Sequence, residues 1–235
     1  MNTDSQHLDI SEADHKLLLG KDLTRGLGCG GFPQKGADAA MESMSEIKGL
    51  LKNTDMVFVC GGMGGGTGTG SLPVIAQVAR DAGAIVVGVV TMPFDIERAR
   101  LERAGWGLQR LQKVADTVIT IDNNRLVKVA GNLPISQAFA VANELITTMV
   151  KGIVETISVP SLVNLDFADV HAIMKHGGVA AIGVGTSDTG NKVEEAVKQA
   201  MDNPLLDINY NGASGALIHI CGGPEMTLEE ISRAG

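Results

Sequence analysis

The sequence predicts an α/β protein: a doubly wound, mostly parallel sheet, then a long central helix and a partial second α+β domain. Three observations carry this. Short apolar runs alternate with longer segments of helical period, one helical stretch runs unbroken through Ile135 to about Ser158, and the alternation restarts after Pro160.

The first strands are read in Met56-Val57-Phe58-Val59-Cys60, Ala84-Ile85-Val86-Val87-Gly88-Val89-Val90 and Thr117-Val118-Ile119-Thr120-Ile121. Runs that are apolar on both faces suit parallel strands buried on both sides. Leu72 to Asp81 and Ala99 to Val114 have the length and spacing of covering helices. The long helix has apolar residues around much of its circumference, which predicts burial along most of its length. Val159-Pro160 ends it, because proline disfavours helix at the residue before it. Beyond lie a helix near Phe167 to Lys175, a strand near Val179 to Val184, a helix near Asn191 to Met201 and a strand near Ala216 to Cys221. The expected organisation is residues 1–134 as the sheet domain, 135–160 as the connecting helix and 161–235 as the second domain.

With 235 residues, 44% hydrophobic and 20% charged, the chain can bury a core of one large or two small domains. Thirty glycines beside five Phe, one Trp and one Tyr point to tight turns and an aliphatic core. A net charge of −8 argues against a nucleic-acid surface, which concentrates Lys and Arg. No apolar run reaches the roughly 18 to 20 residues that span a bilayer. The polar start Met1-Asn2-Thr3-Asp4 lacks a secretory pattern, so a cytoplasmic protein without direct membrane insertion is expected. Cys29, Cys60 and Cys221 form no CxxC pair and read as reduced thiols in packing roles. His7, His15, His171, His176 and His219 show no metal-ligand spacing, so no protein-borne metal site is expected.

One segment carries chemistry. Gly61-Gly62-Met63-Gly64-Gly65-Gly66-Thr67-Gly68-Thr69-Gly70 follows an apolar strand and precedes a helical run. Glycines let a backbone approach an anion, and N–H groups at a helix start point at it. The dinucleotide spacing G-x-G-x-x-G fails in every register here, and a P-loop needs a lysine that is absent. A phosphate-binding turn of another kind is the reading, against the plainer one of a glycine turn packing strand closely on helix.

Gly64 to Gly70 resembles the signature of the tubulin/FtsZ family. The likeness extends from Asn2-Thr3-Asp4 through Gly26-Leu27-Gly28 to Asn164-Leu165-Asp166-Phe167-Ala168-Asp169, and is best with the FtsZ branch of archaeal type. It implies a protein that binds GTP and GDP with Mg²⁺, assembles with itself head to tail into filaments for cell division, and completes hydrolysis with an acidic loop of the adjoining subunit. It names no division-machinery adaptor. It also implies that a first strand, another glycine-rich loop and a helix precede Asn2, and that the second domain continues past Gly235. A piece so bounded is expected to bind nucleotide weakly and to be of poor stability. A non-hydrolysing or shape-controlling relative is the alternative, and a nicotinamide-dependent dehydrogenase is disfavoured by the failed spacing.

Residue by residue, the resemblance implies that Gly64, Gly65, Gly66, Thr67, Gly68, Thr69 and Gly70 hold the phosphates, with Thr67 and Thr69 as side-chain donors. Gly28 and Gly30, in the turn from Gly26 to Pro33, fall near the terminal phosphate. Glu97 falls at a ribose-binding carboxylate. Arg100 falls at its partner arginine only if one residue is deleted, and otherwise belongs to a solvated face with Arg98 and Arg103. Asn123, Phe139 and Asn143 fall at the guanine base, where an amide reads the base edge and a ring stacks on it. Read alone, Asn123 is a turn residue and Phe139 a core residue. Asp166 and Asp169, with Asn164, fall on the catalytic loop; read alone, the two carboxylates are an N-cap and a first-turn acid.

Overall fold

The structure, a computed structural model, describes residues 1–158, 174, 183–202, 216–223 and 226–234. It divides into two compact units, one holding Met1–Asn124 and the other the described residues from Arg125 onward.

The first unit is built on three parallel strands, β1 (Met56–Gly62), β2 (Ile85–Met92) and β3 (Thr117–Asp122), ordered β1-β2-β3. The register sets Gly62 opposite Thr91 and Met92 opposite Asp122, so all three strands end on one edge and their following loops emerge side by side. β2, rich in valine, is buried on both faces, with Val86, Val87, Val89 and Val90 almost fully enclosed. β1 is less covered than its apolar pattern predicts: among the described residues it pairs only with β2, Val59 alone of its residues is fully buried, and Cys60 is exposed. Cys221 is exposed too, so the packing role expected of the three thiols holds for Cys29.

Helices α1 (Ser5–Asp9), α2 (Lys21–Thr24), α3 (Pro33–Glu42) and α4 (Met44–Leu50) precede the sheet. The Asp4 carboxylate caps α1 by accepting from the His7 N–H at 3.0 Å. Pro33 opens α3 at a first-turn position where its missing N–H costs nothing. Between the strands run α5 (Thr67–Asp81) and α6 (Arg98–Val114), which pack on the sheet and on each other, while α3 lies against α5. α5 buries Leu72, Ile75, Ala76, Val78 and Ala79; α6 buries Ala104, Gly107 and Leu111, one face of a helix of 3.6-residue period. Leu111 reaches the sheet at Gly88: a Cβ there would lie 3.0 Å from its Cδ2.

The second unit holds the rest of α7 (Asn123–Ala130), which begins in the first, with α8 (Ile135–Ser158), α9 (Lys192–Met201) and α10 (Leu228–Ala234). Leu126 and Ala142 form a small core with Val141 and Leu145. α10 opens with a reciprocal cap: the Thr227 N–H donates to Glu230 Oε2 at 2.8 Å and the Glu230 N–H to Thr227 Oγ1 at 3.2 Å. The Thr227 N–H, then Lys192, holds the half-buried Glu230 carboxyl below its ordinary range.

The strands and α6, α8 and α9 lie where the sequence predicts them, within a residue or two. Three expectations are corrected. α5 starts at Thr67 and not at Leu72, since the glycine-threonine segment is itself the first turn. α8 is not buried along most of its length: only Ala142, Met149, Ile153 and Thr156 are, because its apolar arc is wider than the surface packed against it. Ala216 to Cys221 is no strand, having no ladder partner among the described residues. The helix expected over Phe167 to Lys175, Met174 apart, and most of the strand over Val179 to Val184 lie outside the described residues.

Leu111→Ala removes a side chain with no exposed surface from the joint of α6 and sheet. Urea unfolding should show a loss of about 2–5 kcal/mol. An unchanged midpoint would mean that α6 is not docked there.

Candidate functional site

The edge where the strands end gathers the chemistry. β1 leads through Met63–Gly66 into α5, β2 through Pro93–Glu97 into α6, and β3 directly into Asn123 at the start of α7. Ligands of parallel α/β sheets bind at this carboxyl edge.

The loop after β1 is fixed from within. Met63 extends the ladder by donating its N–H to Thr91 O at 2.9 Å. Gly64 then turns with φ of 97°, a region closed to most side chains, and its N–H donates to Thr69 Oγ1 at 2.8 Å. Thr69 has no exposed surface, so its hydroxyl braces the loop. A Cβ on Gly66 would lie 2.6 Å from Cys29 Cβ; on Gly68 it would strike Gly62 O, and on Gly70, Pro33 O. Gly65 differs: nothing lies within 4 Å of a Cβ built there. The plain packing reading therefore accounts for Gly66, Gly68 and Gly70 and leaves Gly65 facing open space.

The first turn of α5 has no side-chain cap. The first intrahelical bond runs from the Gly70 N–H to Gly66 O, leaving the N–H groups before it without helical acceptors. A 15-residue helix beginning this way offers an anion both donors and the positive end of its dipole.

The turn from Gly26 to Phe32 lies against this loop. Gly26, Gly28, Gly30 and Gly31 all have positive φ, as the close glycine spacing predicts. The turn is tied down by Gly28 N–H donating to Thr3 O at 3.0 Å and by Arg103 Nη1 donating to Gly31 O at 2.6 Å. Arg103, expected on a solvated helix face, is thus a clasp between α6 and this turn.

After β2, Glu97 accepts from the Phe94 N–H at 3.1 Å through Oε1 and pairs with Arg100 Nη1 at 2.8 Å through Oε2. The two are therefore brought together, although Arg100 stands three residues from Glu97 and not four. After β3, Asn124 joins the neighbouring loops: its Nδ2 donates to Asp122 Oδ1 at 2.8 Å and to Asp95 Oδ1 at 3.1 Å, and its Oδ1 accepts from the Asp95 N–H at 2.9 Å. Asn123 beside it is buried, and its Oδ1 has no hydrogen-bond partner among the described residues. A buried acceptor left unpaired costs about 1–3 kcal/mol, which a ligand donor would recover.

In the second unit, Phe139 and Asn143 occupy one face of α8, and both are exposed, Phe139 by 40%. Phe139 is therefore no core residue. Asn164, Asp166 and Asp169 lie outside the described residues. Among the described residues no group of His, Cys, Asp and Glu is placed to hold a metal ion, and no helix is long and apolar enough to cross a membrane. Sequence reasoning missed Asn124 and Arg103 as clasps and Thr3 behind the loop; no periodicity marks them, since each acts through a partner distant in sequence.

Residues 1–131 match the family model of the tubulin/FtsZ GTPase domain, and residues 178–235 that of the FtsZ C-terminal domain. The chain belongs to the tubulin/FtsZ family. Within the FtsZ branch it is 57% identical over 238 residues to cell division protein FtsZ 2 of Methanocaldococcus jannaschii, covering 100% of this chain and 63% of that protein. It is 52% identical over 231 residues to cell division protein FtsZ 1 of Archaeoglobus fulgidus, covering 98% of this chain and 63% of that one. The FtsZ-family chain thus spans less than two thirds of their length. Its structure is similar to an empty FtsZ dimer of M. jannaschii, with a TM-score of 0.91, 48% identity and coverage of 99% of this chain and 68% of the other. A CetZ of Methanosaeta thermophila, at 22% identity, 85% and 55% coverage and a TM-score of 0.66, shares the fold.

Glycine substitutions separate packing from function in this loop. Gly70→Ala drives a methyl group into α3 and should cost about 1–3 kcal/mol or more. Gly65→Ala, with open space and no positive φ, should stay within about 1 kcal/mol of the parent. Thermal melts of both decide it, and equal losses would refute the assignment.

Proposed function

We propose that this FtsZ-family chain binds GTP at the carboxyl edge of its sheet, and that in a head-to-tail filament the acidic loop of one subunit completes hydrolysis on the next. The observation that carries the reading is the first turn of α5. It has no side-chain cap, and Gly65 leaves open space beside it.

The phosphates would meet the orphan N–H groups of this turn and the Thr67 hydroxyl, with the Gly26–Gly31 turn closing over the terminal phosphate. Glu97, held by Arg100 and the Phe94 N–H, would accept from a ribose hydroxyl. Asn123 Oδ1, unpartnered among the described residues, suits guanine, whose N1–H and N2–H₂ are donors at positions where adenine has an acceptor nitrogen and a C–H. Phe139 and Asn143, on one face of α8, are proposed as base-contacting residues, a ring that can stack and an amide that can bond.

Mg²⁺ would enter with the nucleotide. It is an ion that keeps several waters and is bound chiefly through phosphate oxygens. It would offset phosphate charge during transfer. Asp166 and Asp169, supported by Asn164, would polarise the attacking water from the adjoining subunit, so turnover requires assembly. Self-association into filaments, a cytoplasmic location and a part in cell division belong to the same proposal.

Calorimetric titration with GTP tests the site. Gly65→Ala should keep the fold and weaken binding by about tenfold or more, because a methyl group occupies the anion's place. Wild-type affinity in that variant would remove the phosphates from this turn. Asn123→Ala should weaken GTP by about 10- to 100-fold, the worth of one buried hydrogen bond, and lose preference for GTP over ATP.

Turnover is tested separately. Asp169→Ala should retain GTP binding and lose phosphate release, while in the parent chain specific activity should rise steeply with protein concentration. Hydrolysis at the parent rate in Asp169→Ala, or specific activity independent of concentration, would refute catalysis at subunit contacts.

A further inference from the structure

We infer that Thr3 is a positioning residue for the Thr67 hydroxyl, through a hydrogen-bond chain that starts at the Cys29 thiol and leaves the Thr67 proton free for an anion. The inference rests on the proposed reading that Thr67 meets the nucleotide phosphates.

Thr3 has no exposed surface, and its backbone is held on both sides. Its N–H donates to Asn2 Oδ1 at 2.8 Å, and its carbonyl accepts from the Gly28 N–H at 3.0 Å and from Thr24 Oγ1 at 3.2 Å. The side chain is left with two neighbours. Cys29 Sγ donates to Thr3 Oγ1 at 3.4 Å, and Thr3 Oγ1 stands 2.6 Å from Thr67 Oγ1. Cys29 is itself buried beneath the loop, its Cβ close under Gly66.

Proton counting sets the direction of the chain. A threonine hydroxyl has one proton and two lone pairs. Were Thr67 to donate to Thr3, the Thr3 proton would be left with the Cys29 sulfur, a weak acceptor 3.4 Å away, and the buried thiol proton would lose its acceptor among the described residues. With Thr3 donating, every proton has a place: thiol to Thr3, Thr3 to Thr67. Buried donors are nearly always satisfied, so the second arrangement holds. The Thr67 hydroxyl, half-buried on the first turn of α5, then keeps its own proton without an acceptor among the described residues.

This makes Thr67 a committed donor, suited to a ligand oxygen that only accepts, as a phosphate oxygen does. Thr69, two residues on, is the contrast: its oxygen already accepts from Gly64 within the loop. Sequential donation also polarises each member, which strengthens the final bond. A purely space-filling role at position 3 would be served equally by valine, which matches threonine in shape.

The test is a double-mutant cycle on the full chain, reading GTP affinity by calorimetry and nucleotide-free stability by thermal melt. Thr3→Val should weaken GTP by about tenfold, the worth of one misdirected charge-assisted bond, while Thr3→Ser should restore affinity to within about twofold. In a Thr67→Val background, Thr3→Val should cause no further loss. If Thr3→Val does not fold, Cys29→Ala carries the test. It should weaken GTP by about twofold to threefold and be silent in the Thr67→Val background. Multiplicative losses, or parent affinity in Thr3→Val while Thr67→Val is weakened, overturn the inference and leave the site reading intact. Parent affinity in Thr67→Val overturns the phosphate role of Thr67, and the inference falls with it.

Discussion

The close approach of backbone to backbone at the first turn of α5 is the constraint on which the rest of the first unit depends. Gly66 sits on Cys29 and Phe32, Gly68 on the Gly62 carbonyl and Gly70 on the Pro33 carbonyl. A side chain at any of these would push α5 off β1 or α3, and with it the direction of the N–H groups that open the helix. The small residues Gly36, Ala37, Ala39 and Ala40, buried on α3, belong to the same arrangement. One string of glycines thus sets the packing of three elements and the placement of the helix end proposed to face the ligand. Gly65 is the exception, which this packing does not explain.

Much of this was legible in the sequence, for a definite reason. The strands at Met56, Ile85 and Thr117 and the helix from Arg98 to Val114 are written in local hydrophobic pattern, and local pattern survives into the fold when both faces or one stripe are buried. The glycine-threonine string marked a tight strand-to-helix joint by composition alone. The start of α5 was misplaced because glycine and threonine are poor helix formers; tertiary packing against β1 and α3 overrides that preference.

What stayed hidden depends on distant partners. Arg103 looks like one arginine of a solvated face until its guanidinium is found on Gly31 O, 72 residues away in sequence. Asn124 looks like a turn residue until it bridges Asp95 and Asp122. Thr3 is 64 residues from Thr67. The exposure of Phe139 was misjudged for the converse reason: an apolar residue on an apolar helix reads as core, but burial requires a facing surface that the pattern does not specify.

Charge gives the site its character. The chain is acidic, with net charge −8, yet the proposed ligand carries several negative charges. The arginines nearest the loops are committed, Arg100 to Glu97 and Arg103 to Gly31 O and Ala99 O. On the proposed reading, recognition therefore falls to neutral donors: the free N–H groups of α5 and the Thr67 proton. Fixed dipoles cost no reorganisation when the anion arrives, but they do not cancel its charge. The remaining charge calls for a cation that enters with the nucleotide and for nearby carboxylates to stay away until a filament forms. On the proposed reading, a carboxylate supplied by the adjoining subunit meets the second demand, since it adds negative charge to the site only at the moment when water must be activated.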